Sequence, residues 1–317
     1  MMEKPKIIFF GTPSFAVKSL ELINSNCNVL CVVTSQDKKS GRGLKIHQSE
    51  VKKFSVMNNI LIKQPMDLKN FDFINQIKSM NADLFIVVAF KKIPKEVYSI
   101  PKLGTINLHA SLLPNYRGAA PINWALINNE KVTGVTTFFI NERIDHGDII
   151  SKKEVLIDSN DDYRSLYRKL SVIGSNLLLE TIMLVFKGKF QIIKQSKVIN
   201  DKKAPKLNSK NTRINWEDNT ERILGMIKGL SPSPGSWTIL KNGDDEVRMK
   251  IIKANFYRNN LFDKKKLGKL SIIGNNIYIN TKEGQINCSI VQIENKKEMS
   301  TKDLLNGYKF DENSYVY

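Results

Sequence analysis

Apolar residues follow two arrangements along the first half of the chain. A continuous apolar run, which is typical of a strand buried on both faces, lies at residues 6–10, and further segments that are typical of strands lie at 29–34, 83–90, 104–109 and 132–140. Between them, apolar residues recur three and four positions apart, which predicts helices such as one over 15–23. This order of strand, helix and strand predicts an α/β fold with a mostly parallel sheet. Ligands of such sheets bind beyond the carboxyl ends of the strands.

The pattern changes after a long helix that is predicted over residues 161–187. A polar stretch over 191–210 follows and predicts a linker. Beyond it, a helix precedes short strands, which are predicted at 249–257, 267–273, 276–280 and 285–293. Short strands with turn residues between them predict a small β-barrel. We therefore expect an α/β domain over 1–190, a linker over 191–210 and a β-barrel domain over 211–317.

Composition narrows the class of protein. Of the 317 residues, 41% are hydrophobic and 25% charged, which is usual for a soluble globular protein. We find no signal peptide, and no apolar run approaches the roughly 18–20 residues of a membrane helix. These features predict a cytoplasmic protein without a membrane partner. The three cysteines form no CxxC pair, so we expect core residues rather than disulfides, and no metal site.

The formal net charge of +18 favours a polyanionic partner, because Lys and Arg neutralise phosphates. The chain is also rich in Lys, Ile and Asn throughout, as a biased coding composition would produce. Charge alone therefore leaves nucleic-acid binding and simple composition as alternatives.

Two candidate catalytic residues lie at the end of the predicted strand 104–109. Asn107 and His109 are two positions apart, so their side chains leave the strand on the same side. An amide and an imidazole can both donate hydrogen bonds to an oxygen that becomes negative in a transition state. A carboxylate is needed to orient the imidazole or accept a proton. Asp145, at a turn beyond residues 132–140, is the best candidate.

The segment from Asn107 to Gly118 reads Asn-x-His-x-Ser-Leu-Leu-Pro-x-Tyr-Arg-Gly, and Asp145-His146-Gly147 follows it. Together they resemble the folate-dependent formyltransferases. The resemblance covers nearly the whole chain. Further matching stretches lie at residues 10–13, 41–43, 133–136, 204–207, 214–216 and 232–237.

The resemblance implies a Rossmann-like formyltransferase domain followed by an OB-like barrel that helps to hold tRNA. It implies 10-formyltetrahydrofolate as the donor and the amine of initiator methionyl-tRNA as the acceptor, for translation initiation, in a monomeric enzyme. Asn107 and His109 would stabilise the tetrahedral oxyanion. Asp145 would orient His109 and help to move the amine proton.

By the same resemblance, folate would contact Ser111, Leu112, Leu113 and Pro114, with Val88, Ala89 and Phe90 as another wall of the pocket. The loop 35–48 would enter the tRNA acceptor stem, with contacts that we expect from Arg42, Lys45, Lys38 and Lys39. Core packing of the leucines and a solvated surface loop are the alternative interpretations.

This chain departs from the usual family pattern at three positions. Gln36 and Lys38 stand where relatives usually carry prolines, so the loop is expected to be more flexible. His146 stands where relatives commonly carry threonine. We expect this substitution to be tolerated, and a role for His146 as an additional base is the alternative.

Four other functions fit the sequence less well. A sugar-nucleotide N-formyltransferase shares the catalytic residues, but the loop at 41–43 and the basic charge argue against it. A purine-pathway transformylase would be shorter. A tRNA-binding protein without activity is disfavoured by the intact Asn107, His109 and Asp145. A dinucleotide-dependent dehydrogenase is disfavoured because the first turn is not GxGxxG.

Overall fold

The structure is a computed structural model that describes residues 3–40, 45–195, 201–258 and 266–317. Its first ten strands are β1 (Lys6–Gly11), β2 (Asn28–Val33), β3 (Lys38–Ser40), β4 (Lys45–His47), β5 (Ile62–Lys63), β6 (Leu84–Val88), β7 (Thr105–His109), β8 (Arg117–Gly118), β9 (Val132–Phe139) and β10 (Ile149–Leu156). The first six helices are α1 (Ser14–Asn26), α2 (Glu50–Met57), α3 (Phe71–Ser79), α4 (Lys95–Tyr98), α5 (Pro121–Ile127) and α6 (Tyr163–Phe186).

The remaining elements are β11 (Lys203–Ala204), α7 (Thr220–Leu230), β12 (Ser236–Asn242), β13 (Asp245–Tyr257), β14 (Leu270–Ile273), β15 (Asn276–Asn280), β16 (Gln285–Ile293), β17 (Met299–Ser300), α8 (Thr301–Leu305) and β18 (Tyr315–Val316). The chain forms two compact units. The first contains residues 1–118, 132–156 and 167–203, and the second contains 119–131, 157–166 and 204–317.

The first unit is built on a seven-stranded sheet in the order β10-β9-β7-β6-β1-β2-β5. Strands β5, β2, β1, β6 and β7 are parallel, as expected. β9 is antiparallel to β7, and β10 is antiparallel to β9. The sheet is therefore mostly parallel, as predicted, with an antiparallel edge that begins at β9. The segment before it, 119–131, clusters with the second unit, so it does not form a crossover helix that would return the chain for a parallel strand.

The core of this unit lies on both faces of the sheet. One cluster joins Ile8 and Phe10 of β1, Phe85 of β6 and Phe73 and Ile77 of α3, all buried. On the opposite face, Thr181 of α6 hydrogen-bonds Thr137 of β9 at 2.9 Å. Helix α6, with 24 residues, is long and apolar enough to cross a membrane by length and composition alone, and half of its most apolar window is buried. Its contact with the sheet is that of a core helix.

The second unit contains an antiparallel sheet that is nearly closed into a barrel. Its order is β14-β15-β16-β13-β12-β18, and β17 pairs with β16. Trp216, Ile223 and Ile227 pack with the inward side chains of these strands. Ile273 pairs with Asn276, so the predicted strands at 267–273 and 276–280 form an antiparallel hairpin. The predicted α/β fold followed by a small barrel is also confirmed.

All three cysteines are core residues, as predicted: Cys27, Cys31 and Cys288 are free and buried. Burial raises the pKa of the Cys27 thiol to about 11 and that of Cys31 to about 12. Burial also raises the pKa of Cys288.

Candidate active site

Asn107 and His109 lie at the carboxyl end of β7, near the middle of the sheet. Asn107 is opposite Val87 of β6 on one side and Phe138 of β9 on the other. His109 is 7% exposed, whereas Asn107 is partly open to solvent. Across the described residues, no group hydrogen-bonds the Asn107 side-chain amide, so this amide is available to a ligand.

The imidazole of His109 is held from both sides. Its Nε2 lies 2.9 Å from the carbonyl oxygen of Tyr116, which can only accept, so we assign a proton to Nε2. Its Nδ1 lies 3.8 Å from Oδ2 of Asp145. With the proton on Nε2, Nδ1 faces the carboxylate as an acceptor. Together, His109 and Asp145 can therefore take up one further proton.

A tight turn presents the carboxylate of Asp145. The residue has a φ of 57°, and its Oδ2 accepts a hydrogen bond from the backbone N–H of Gly118 at 3.0 Å. Gly147 completes the turn, because a Cβ at this position would lie 1.6 Å from the carbonyl oxygen of Phe139. The turn therefore requires glycine at 147, which fits the Asp-x-Gly motif.

Three polar residues that the sequence did not single out hold this turn: Arg117, Gln195 and Asp201. Arg117 Nε donates to the carbonyl oxygen of Asp145 at 3.0 Å, and its Nη1 donates to Asp201 at 3.0 Å. Gln195 Nε2 donates to the same Asp145 oxygen at 3.0 Å and to that of Gly147 at 2.8 Å. Arg117 also donates to Oε1 of Gln195. Arg117 lies inside the motif quoted above, but nothing in the sequence relates Gln195 to it.

The segment expected to contact folate contains both buried and accessible side chains. Ser111 and Leu113 are fully buried. Ser111 donates to the carbonyl of Asn115 at 2.7 Å, and the N–H of Leu113 donates to Thr136 at 3.1 Å. Leu112 and Pro114 are partly exposed. Only these last two side chains are open to a ligand.

The neighbouring strand contributes the second expected wall. Val88 pairs with Leu108, so the chains leave β6 and β7 side by side. Val88 is fully buried, Ala89 is exposed with a φ of 48°, and Phe90 packs edge-on against Phe10 at 5.7 Å. Ala89 and Phe90 are the accessible part of this wall.

A groove of about 520 Å³ begins directly after Phe90. Four lysines and three carboxylates are among its lining residues, which include Asp67, Lys69, Lys91, Lys92, Lys95, Glu96 and Glu142. Lys95 pairs with Glu142 at 3.1 Å and Lys69 with Glu96 at 3.9 Å. Among the described side chains, Lys91 and Lys92 have no such carboxylate partner.

The loop expected to bind tRNA is partly described. Strands β3 and β4 form a two-stranded hairpin in which Lys38 pairs with His47 and Lys39 with Ile46. Lys38 is exposed. Lys45 belongs to β4, whereas Arg42 lies outside the described residues. Within the described ranges, no group of three His, Cys, Asp or Glu side chains could hold a metal ion.

Comparison with known proteins identifies the family. The formyl transferase family model matches residues 5–182, and the model of the formyl transferase C-terminal domain matches residues 206–309. The chain belongs to the formyl transferases. The methionyl-tRNA formyltransferase of Flavobacterium johnsoniae is 43% identical to it over 317 residues, which is the whole of both chains. That of Thermodesulfovibrio yellowstonii is 43% identical over 96% of this chain and 97% of its own.

Solved structures agree on the fold of this formyl transferase. The sugar 3N-formyl transferase WlaRD matches 93% of this chain and 100% of its own, with a TM-score of 0.64 and 24% identity. HypX from Aquifex aeolicus, in complex with tetrahydrofolic acid, matches 98% of this chain and 49% of its own, with a TM-score of 0.63 and 20% identity. The formyltransferase fold expected from the sequence is therefore confirmed.

Proposed function

We propose that this formyl transferase moves the formyl group of 10-formyltetrahydrofolate to the α-amino group of initiator methionyl-tRNA. The observation that carries the proposal is the full-length similarity to methionyl-tRNA formyltransferases, at 43% identity. The sugar N-formyltransferase resemblance is weaker, at 24% identity. The free amide of Asn107 and the proton-accepting pair of His109 and Asp145 support formyl transfer to an amine.

Asn107, His109 and Asp145 would divide the chemistry between them. When the acceptor amine attacks the formyl carbon, an N–C bond forms and the carbonyl oxygen becomes an oxyanion. The unengaged Asn107 amide is suited to donate a hydrogen bond to it. The amine proton would pass to the pair formed by His109 Nδ1 and Asp145, directly or through water. The resulting imidazolium would stabilise the oxyanion. When the carbonyl re-forms, the bond between the formyl carbon and the folate nitrogen would break, and the imidazolium would return the proton to that nitrogen.

The burial of each side chain refines the proposed folate contacts. Leu112, Pro114, Ala89 and Phe90 would touch the donor, since they are accessible. The buried side chains would not touch the donor but would fix the backbone of both walls; these are Ser111, Leu113 and Val88. Lys152 contributes to this support, because its Nζ donates to the carbonyl oxygen of Leu113, and burial lowers the pKa of this lysine.

Two parts of the chain would bind the tRNA, the loop at residues 35–48 and the barrel domain. We propose that Lys38, Lys39, Arg42 and Lys45 contact the acceptor stem, and that the barrel domain contributes the second tRNA surface. The domain limits at 190 and 211, a monomeric state and a cytoplasmic location are part of the same proposal. The full-length similarity to methionyl-tRNA formyltransferases supports these parts of the proposal.

An acceptor assay tests the proposal. The full chain is supplied with 10-formyltetrahydrofolate and with initiator methionyl-tRNA, uncharged initiator tRNA or an amino-sugar nucleotide, and the formylated product is identified. We expect transfer only to methionyl-tRNA. Uncharged tRNA controls for transfer elsewhere on the nucleic acid. Transfer to the amino sugar alone would overturn the proposal in favour of the sugar-nucleotide activity.

A further inference from the structure

One outward-facing surface of the barrel unit has an unusual composition. Side chains alternate along β12, with Ser236, Thr238 and Leu240 buried and the residues between them partly exposed. Residues that pair with the outward residues of β12 point to the same side of the sheet. Arg248 lies opposite Ile239, and Tyr315 lies opposite Lys241. We call the resulting surface the outer face. Its members are Arg213, Trp237, Ile239, Lys241, Glu246, Arg248, Lys250, Lys269, Tyr315 and Tyr317.

The outer face combines three aromatic rings with five cations. Its one carboxylate, Glu246, lies 3.8 Å from Lys241 and also accepts a hydrogen bond from the Tyr317 hydroxyl. Tyr315 and Tyr317 are 43% and 41% exposed, with their ring centroids 5.9 Å apart. Exposed apolar side chains that are scattered singly are usual on a protein surface, whereas a contiguous patch of them marks an interaction site.

Two guanidinium groups extend the aromatic surface. Arg248 lies over the Trp237 ring at 4.1 Å from its centroid. Arg213 lies 5.4 Å from the same centroid and 5.8 Å from that of Tyr317, and its Nη2 donates to the Tyr317 carbonyl at 3.2 Å. Stacking of this kind spreads flat, positively charged groups beside the two exposed rings.

This combination matches one class of ligand. Unstacked nucleobases bind to aromatic rings and guanidinium planes, while the cations beside them neutralise the phosphates. Double-stranded RNA offers no accessible base faces, so the rings would have nothing to bind there. A protein partner with an apolar surface is disfavoured, because it would remove five cations from water and the face has only one carboxylate to pair with them.

We propose that the outer face binds an unpaired segment of RNA, with a base stacked on Tyr315 or Tyr317 and the phosphates beside Arg213, Arg248 and Lys250. The choice of tRNA as the natural source of this segment rests on the proposed function. Transfer RNA carries unpaired nucleotides in its loops and at its 3′ end.

The test measures binding of the full chain to a short, labelled, unstructured oligoribonucleotide by fluorescence anisotropy. In the double variant Tyr315→Leu/Tyr317→Leu we expect affinity to fall at least about fivefold, because each stacked base is lost. The double variant Tyr315→Phe/Tyr317→Phe keeps the rings and should keep most of the affinity. Arg248→Gln should reduce the slope of log affinity against log salt by about one, since a phosphate contact is lost.

Tyr257→Leu is the matched control. Tyr257 is also 41% exposed, lies on β13 and stacks with Tyr278 at 4.8 Å, but it is not part of the outer face. We expect this variant to bind like the parent chain. Equal affinities of the parent and the double leucine variant, or an equal loss in Tyr257→Leu, would overturn the proposal.

Formyl transfer to methionyl-tRNA is measured on the parent chain in parallel. If the parent formylates methionyl-tRNA but the leucine pair binds RNA normally, the inference about the outer face is wrong and the proposed function stands. If ring loss weakens RNA binding and the parent does not formylate methionyl-tRNA, the outer face stands and the proposed function is wrong.

Discussion

His109 is held by a backbone carbonyl that lies seven residues further along the chain. Tyr116 adopts a φ of 60°, and its carbonyl oxygen accepts from His109 Nε2. This bond fixes the ring so that Nδ1 faces Asp145, which is the orientation that proton uptake requires. The residues 110–118 therefore orient the imidazole and also contain the partly exposed side chains of Leu112 and Pro114.

Loss of the proposed catalytic side chains should slow the chemical step. In Asn107→Ala, His109→Ala and Asp145→Ala, we expect the single-turnover rate of formyl transfer to fall by about 10²–10³ or more, as for the loss of an oxyanion donor. His146→Thr is the control, because His146 is exposed and its Nδ1 is engaged by the carbonyl oxygen of Ile144 at 2.6 Å. Near-normal transfer by His109→Ala would exclude the mechanism, and a large loss in His146→Thr would assign chemistry to that residue.

Asn107, His109 and Asp145 could be predicted from the sequence, because the spacing along a strand and the family motif are both visible there. The sequence alone could not distinguish the partly exposed Leu112 from the buried Leu113. That difference depends on Thr136, which lies on another strand and holds the Leu113 backbone. Such contacts between distant residues leave no local pattern.

At the scale of elements, the segment after α6 belongs to the active-site region. Ile193 exchanges two backbone hydrogen bonds with Ile149 of β10, at 2.8 and 2.9 Å, and Phe190 packs against Phe139 with ring centroids 5.7 Å apart. These contacts place Gln195 beside the Asp145 turn. A polar stretch with no periodicity predicted only a linker, since its order comes from partners far away in sequence.

Gln195→Ala should disturb this turn without touching either substrate. It removes the hydrogen bonds to the carbonyls of Asp145 and Gly147 and also the acceptor of Arg117, so we expect kcat for formyl transfer to fall about tenfold, with little change in KM. Gln191→Ala removes an exposed glutamine from the same segment and should match the parent. A rise in KM with normal kcat would show that Gln195 contributes to binding rather than to positioning.

Two strands were not predicted from the sequence, because their partly exposed residues do not form an apolar pattern. β10 was not predicted, because its centre, Ser151-Lys152-Lys153-Glu154, is polar and largely exposed. β12 was not predicted either, since its outward residues belong to the aromatic and basic outer face. The buried strands β1, β2, β6, β7 and β9 were all predicted, because both of their faces are covered.

At the scale of the molecule, positive charge extends over both parts of the chain, before and after residue 207. Residues 207–317 carry 18 Lys and Arg against 13 Asp and Glu, a net charge of +5, and residues 1–206 carry 31 against 18, a net charge of +13. A tRNA that contacts both parts of the chain would meet a net positive charge on each. The basic excess is thus compatible with an extended RNA contact.

Salt should therefore weaken tRNA binding steeply. If six or more phosphates are neutralised, affinity for initiator methionyl-tRNA should fall by about 10³ between about 50 and 200 mM salt. The KM for the folate donor, measured in parallel, should change far less, because a folate carries few charges. A shallow dependence for tRNA would mean that most of the charge reflects composition rather than RNA contact.

The buried cysteines make the chain well suited to site-specific labelling. Cys27, Cys31 and Cys288 are its only cysteines, and their raised pKa values keep the thiols protonated and unreactive near neutral pH. A cysteine introduced at an exposed position would therefore react alone with a maleimide dye, without prior removal of the native thiols. One dye on each unit would then report, through energy transfer, whether the two units change their separation when RNA binds.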